Sequence, residues 1–171
     1  QGGAFLRYGC HMVDMTFYLV GSAPKIVFGK MLPYFTEQDQ PTAGHVYIVF
    51  ENGVHTTLWN ITTMPPNLNE WPPFPDIASE ETYVVGDKGL MILRPYRDLW
   101  LRTTERWVKL AELDPRVADP IRDFLREEVE DLMKAVERDE EPPVPGWQGK
   151  WTVSAILGAY ESSRTGEAVR L

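Results

Sequence analysis

Apolar side chains recur at steps of three and four through Phe5, Leu6, Cys10, Val13, Phe17 and Val20, the spacing that lines one face of an α-helix. The pattern predicts a helix over about residues 4–20, with Gly21 standing where a left-handed glycine closes helices. From Lys25 to Phe35 the period changes. Ile26, Val27, Phe28, Met31 and Leu32 bring the β-branched and aromatic content of a strand, which the turn-rich run Glu37 to Pro41 ends.

Val46–Phe50 and Val54–Ile61 flank Asn52-Gly53, a dipeptide suited to a two-residue type I′ hairpin because both central residues need positive φ. That turn predicts a register in which Phe50 faces His55, Ile48 faces Thr57 and Val46 faces Trp59 on one side of the sheet. Tyr47, Val49 and Leu58 then share the other side. Both sides are apolar, so helices are expected on one and a second sheet, domain or subunit on the other. Thr82–Val85 and Leu90–Leu93, followed by short strands near Asp98–Leu101 and Arg106–Leu110, continue the middle of the chain as an antiparallel meander. Between the two strand groups, Met64 to Ile77 holds five prolines and cannot be a regular element.

Asp114-Pro115 suits a helix start, and Ile121, Phe124, Leu125, Leu132, Met133 and Val136 form a stripe expected to be buried. A last helix is expected over about 149–164 through Val153, Ile156 and Leu157, closed by Gly166 and followed by a short strand at Val169. The elements together predict an α+β fold: an open, mainly antiparallel sheet with helices on one face.

Composition narrows the function classes. At 171 residues and 43% hydrophobic, the chain can bury roughly 70% of its unfolded surface, which sets aside disordered tails and disulfide scaffolds. Seventeen Lys and Arg against 25 Asp and Glu leave a net charge of −8, and no basic stripe is hidden in that total, so no nucleic-acid partner is expected. Asp119 to Glu141 holds ten acidic and four basic residues, which assigns most of the excess to one solvated helix face. The single cysteine, Cys10, excludes an internal disulfide and a thiolate zinc site and suits a reducing, cytoplasmic compartment. No apolar run approaches the roughly 20 residues that span a bilayer, so no membrane partner is expected.

Candidate chemistry is sparse. In the expected register His45 and His55 lie roughly 17 Å apart on opposite faces, so no metal site is expected from them. Arg7, His11 and Asp14 are spaced four and three apart and share one helix face, with Tyr18 continuing it. A histidine can give or take a proton, and a carboxylate one turn away can orient it; the same spacing would equally serve a surface ion pair of Asp14 with Arg7 or His11. No G-x-G-x-x-G, Walker loop or nucleophile elbow occurs, so the chain itself carries no recognisable nucleotide-binding device. Aromatic residues around Trp71 and Trp147 could wall a sugar site.

The order of landmarks resembles a known family. Gly2-Gly3-Ala4 running into Gly9, His11 and Asp14, then Leu19-Val20-Gly21, is similar to the opening of the C-terminal domain of the Gfo/Idh/MocA oxidoreductases, the family of glucose-fructose oxidoreductase and inositol 2-dehydrogenase. Phe50-Glu51-Asn52-Gly53, Val85-Gly86-Asp87-Lys88-Gly89 before Leu90, and Ile156 to Tyr160 with Ser162-Ser163, Gly166 and Val169 follow in that family's order. The resemblance implies a glyceraldehyde-3-phosphate-dehydrogenase-like C-terminal domain over residues 1–171, serving substrate binding and homo-oligomerisation through its sheet face. It implies an NAD- or NADP-binding Rossmann domain, with the family's catalytic lysine, outside these residues, and hence an inactive chain by itself. His11 then matches the histidine that assists proton transfer from a sugar, polyol or related hydroxy compound, and Asp14 a substrate-side carboxylate. Arg7 departs from the pattern, since aspartate is common there. It implies either an acidic substrate derivative or a catalytically silent ligand-sensing or interaction protein on the same fold.

Overall fold

The helical spacing that starts at Phe5 resolves into two pieces, a wide π-helical turn over Phe5–Gly9 and α1 over Cys10–Val20. The computed structural model describes residues 3, 5–33, 41–61, 81–94, 97–112 and 120–171. The fully buried Phe5 ring lies where a Cβ on Gly9 would come within 2.8 Å of it and one on Gly44 within 2.7 Å, so two glycines leave room for one aromatic side chain. Gly21, at φ 62°, closes α1 and donates its N–H to the Phe17 carbonyl at 2.9 Å.

The remaining elements are β1 Pro24–Leu32, β2 Ala43–Phe50, β3 His55–Ile61, β4 Thr82–Gly86, β5 Gly89–Arg94, β6 Asp98–Arg102, β7 Trp107–Glu112, α2 Pro120–Arg138, α3 Gly146–Thr165 and β8 Val169–Arg170. The fold is therefore α+β, as expected, with the strands divided between two four-stranded antiparallel sheets, β3-β2-β1-β8 and β4-β5-β6-β7. Residues 1–71 with 141–171 make one unit and residues 72–140 another.

In the first unit α1 and α3 cover one face of the sheet. Phe5, Val13, Phe17, Val27, Val46, Ile48, Phe50, Leu58, Ile156 and Ala159 form its core, and Phe17 packs edge-on against Phe50 at 5.6 Å between ring centres. Helix α3 sits close on β1 because the facing residues are small: a Cβ on Gly29 would lie 2.6 Å from the Ala159 carbonyl oxygen. The same approach lets Ser162 and Ser163 accept the β1 N–H groups of Gly29 and Met31 at 3.0 and 2.9 Å, beyond the short β8 pairing. The buried side of α3 runs through Gln148, Thr152, Ala155, Ile156 and Ala159, whereas Val153 and Leu157, which with Ile156 mark the helix in the sequence, are exposed.

The hairpin corrects the expected register. Phe50 N–H bonds the Val54 carbonyl at 2.9 Å, which leaves a three-residue loop of Glu51, Asn52 and Gly53 with Gly53 at φ 85°. Asn52 Oδ1 accepts the Val54 N–H at 3.1 Å and holds the turn. The extra loop residue slips the pairing by one: Val49 faces His55, Ile48 faces Thr56, Val46 faces Leu58 and His45 faces Trp59. A one-residue slip turns β3 over, because side chains alternate with period two. Leu58 therefore joins the core, and Trp59 turns to the outer face with His45, Tyr47 and His55. The two histidines share a face, not opposite ones, four residues apart along the strands, about 14 Å.

In the second unit the meander β4 to β7 has two different faces. Tyr83, Ile92, Trp100 and Lys109 form one cross-strand row, and Lys109 lies over the Trp100 ring at 5.0 Å. Arg94 grips Asp98 on the same face through two contacts of 2.6 Å, which holds the Asp98 carboxyl below its usual range despite partial desolvation. In α2, Leu125, Leu132, Met133 and Val136 are exposed, although their helical spacing predicts burial. The Ile121 side chain, the Asp114-Pro115 start and the proline-rich stretch with Trp71 lie outside the described residues.

Candidate functional site

Sequence spacing puts Arg7, His11 and Asp14 along one helical edge, and the fold gives each a different environment. Arg7 belongs to the π-helical turn, is exposed, and lies with its guanidinium 5.1 Å from the centre of the Tyr8 ring. His11 is exposed in the first turn of α1. Asp14, one turn further on, is half-buried and turns towards α3. Among the described residues no salt bridge joins Asp14 to Arg7 or to His11, so the surface ion pair that the spacing allowed does not form.

Asp14 is instead tied to two buried polar residues that spacing along α1 could not reveal. Thr152 Oγ1 lies 3.0 Å from Asp14 Oδ1, and Gln148 Nε2 lies 3.2 Å from the same oxygen. Both side chains are buried, and burial of polar groups is tolerated only with such partners. The signal that could have found them is the i, i+4 pair Gln148 and Thr152, polar on the buried side of an otherwise small and apolar helix face. Between the helices Trp151 packs edge-on against Phe17 at 6.0 Å and against Trp147 at 4.5 Å. Trp147 remains half-exposed, with its indole N–H donated to Glu141 at 2.7 Å.

The turn carrying Arg7 is anchored from the other end of α3. The Tyr160 phenol engages the Leu6 backbone, and burial pushes its pKa above the usual phenol value. On the other flank of α1, Asn60 Nδ2 contacts Met12 Sδ at 3.9 Å. The exposed edge of α1 is thus held between β3 and α3 and bears one imidazole and one fixed carboxylate, and the π-helical turn before it adds one permanent cation. Such an edge can bind a polar hydroxyl compound and exchange its proton. Among the described residues no group of three or more His, Cys, Asp or Glu is disposed to hold a metal ion.

Comparison with known proteins gives this edge a context. The family model described as "GFO/IDH/MocA C-terminal domain" matches residues 1–92, which contain α1 and the first hairpin. No curated protein sequence matches the chain. Similar folds occur in solved oxidoreductases. One is an Agrobacterium radiobacter oxidoreductase in complex with NAD+, L-tartaric acid and magnesium, 16% identical with a TM-score of 0.75 over 95% of this chain and 47% of that one. Another is the aldose-aldose oxidoreductase of Caulobacter crescentus complexed with glycerol, 17% identical with a TM-score of 0.77 over 99% of this chain and 48% of that one. The WlbA dehydrogenase of Bordetella pertussis, in complex with NADH and UDP-GlcNAcA, is 20% identical with a TM-score of 0.66 over 100% of this chain and 46% of that one. At these identities the likeness is one of fold, and the chain spans about half the length of each. The fold is that of an oxidoreductase C-terminal domain. The chain belongs to the GFO/IDH/MocA C-terminal domain family.

Proposed function

We propose that the chain is the substrate-binding and oligomerisation domain of an NAD(P)-dependent oxidoreductase acting on a sugar, a polyol or a related hydroxy compound. The observation that carries this reading is His11, exposed on α1 one turn from a fixed carboxylate and inside the matched family region. An imidazole there can take the proton of a reacting hydroxyl and return it in the reverse direction. Asp14 accepts a substrate hydroxyl, and Arg7 binds a carboxylate or other acidic group where the substrate carries one.

NAD or NADP does not fit this chain alone: the sequence has no glycine-rich turn to cradle a dinucleotide's phosphates. The reading assigns the cofactor to a Rossmann domain of the complete protein, where a nicotinamide supplies hydride exchange with the substrate carbon. The chain's own residues hold the substrate and its proton. The complete protein is expected to bind NAD(H) or NADP(H), and His11→Ala to lower its turnover at least about tenfold. Unchanged turnover would remove His11 from the mechanism.

A second reading, a catalytically silent ligand-sensing or interaction protein on the same fold, is favoured by one feature, the cation at Arg7 where the family resemblance leads to an expectation of aspartate. Turnover of any polyol or sugar by the wild-type complete protein rules it out.

A further inference from the structure

We infer that Gln148 and Thr152 are positioning residues, which fix the Asp14 carboxylate so that one of its oxygens is held by α3 and the other is left for substrate. The inference rests on the reading of the α1 edge given above. Gln148 and Thr152 are 4% and 7% exposed, so neither serves as a solvated surface group. Thr152 shares its single hydroxyl proton between Asp14 Oδ1 at 3.0 Å and the Gln148 carbonyl at 3.2 Å, and the charged acceptor is the stronger. Gln148 Nε2 spans Asp14 Oδ1 at 3.2 Å and the Asp14 carbonyl at 3.4 Å. Because both of those partners only accept, the amide nitrogen and not its oxygen must face α1.

All the side-chain bonds converge on Oδ1, and Oδ2 accepts none among the described residues. Two donors one turn apart on a helix seated on β1 fix the carboxylate's orientation in a way that rotation about a free side chain would not. Oδ2 is then an acceptor of set direction one helical turn from His11, and orientation of this kind is what substrate positioning requires.

Thr152→Val keeps the shape and removes the hydroxyl, Thr152→Ser restores it, and Gln148→Leu tests the second donor. In the complete protein we expect Thr152→Val to lower kcat/KM about tenfold, with Thr152→Ser near wild type. In an Asp14→Asn background Thr152→Val is expected to add nothing, because a residue acting through Asp14 has no effect once Asp14 is changed. The side-chain carboxyl 13C resonance of Asp14 is expected to move in Thr152→Val and to return in Thr152→Ser. An unmoved resonance, or full losses from both changes in the double variant, overturns the inference. A lowered melting temperature with kcat/KM unchanged also overturns it, leaving a staple between α1 and α3. If instead the resonance moves while Asp14→Asn and His11→Ala both leave turnover unchanged, the reading of the α1 edge fails and the hold on Asp14 stands.

Discussion

Arg7 is the residue whose chemistry decides most about specificity. A guanidinium is always charged and has no acceptor, so it can neither serve as a base nor receive a hydroxyl proton. Its exposed position over Tyr8 leaves it open to an acidic group of a ligand. On the proposed function, Arg7→Asp in the complete protein is expected to reduce kcat/KM for acidic substrates about tenfold or more while sparing neutral polyols, the size of one lost charge-assisted bond. Equal kinetics on both substrate classes would exclude Arg7 from substrate binding. At this scale the sequence was informative about which residue types sit on the π-helical turn and α1 and uninformative about their partners. Arg7, His11 and Asp14 were legible because helical spacing is local. The bonds from Gln148 and Thr152 join positions more than 130 residues apart, and no periodicity reports such a contact.

Among the elements, the seating of α3 on β1 holds the first unit together. Gly29 and Ala159 meet with no space for another methyl group, and the nearest atoms are the Ala159 carbonyl oxygen, Cα and Cβ, none of which can swing aside as the end of a long side chain can. Gly29→Ala should therefore destabilise by about 2–3 kcal/mol, as overpacking does in a tight core. Gly149→Ala, on the same helix with nothing within 4 Å of the added Cβ, should instead be neutral or stabilising by up to about 1 kcal/mol. Denaturant midpoints of the two variants give the comparison, and a similar shift in both would argue against close packing as the cause. The hairpin shows where reading an element from its sequence stops. Asn52-Gly53 marks the turn correctly, yet the same dipeptide serves a two-residue loop or, with Glu51, a three-residue one. That single residue decides which face of β3 is buried.

For the whole molecule, the slipped register concentrates large side chains on the outer face of the first sheet. Trp59 is 59% exposed, Phe28 43% and Tyr47 40%, with the His45 ring tilted against Trp59 and the His55 ring against Tyr47, each at 5.7 Å between centres. The homo-oligomerisation through the sheet face proposed above would cover these side chains. Trp59→Glu is expected to shift the complete protein to a smaller species in sedimentation velocity while costing the fold of each subunit no more than about 1 kcal/mol, since the residue is outside the core. An unchanged sedimentation coefficient would locate any oligomer contact elsewhere. Among the described residues no helix is long and apolar enough to cross a membrane.

Local physics, acting through the sequence alone, determined the strands and α-helices, the glycine ends of α1 and α3, the α+β class, and the presence of His11 and Asp14 on α1 with Arg7 in the turn that precedes it. Propensity, period and capping depend on neighbours a few residues apart, which a sequence displays directly. Tertiary structure decided the register of the hairpin, the face of β3 that joins the core, the division of the strands into two sheets, and the two donors that hold Asp14. Each of these depends on which distant surfaces meet. Packing resolves that choice by excluding volume at Gly9, Gly29 and Gly44 and by pairing buried polar groups across α1 and α3.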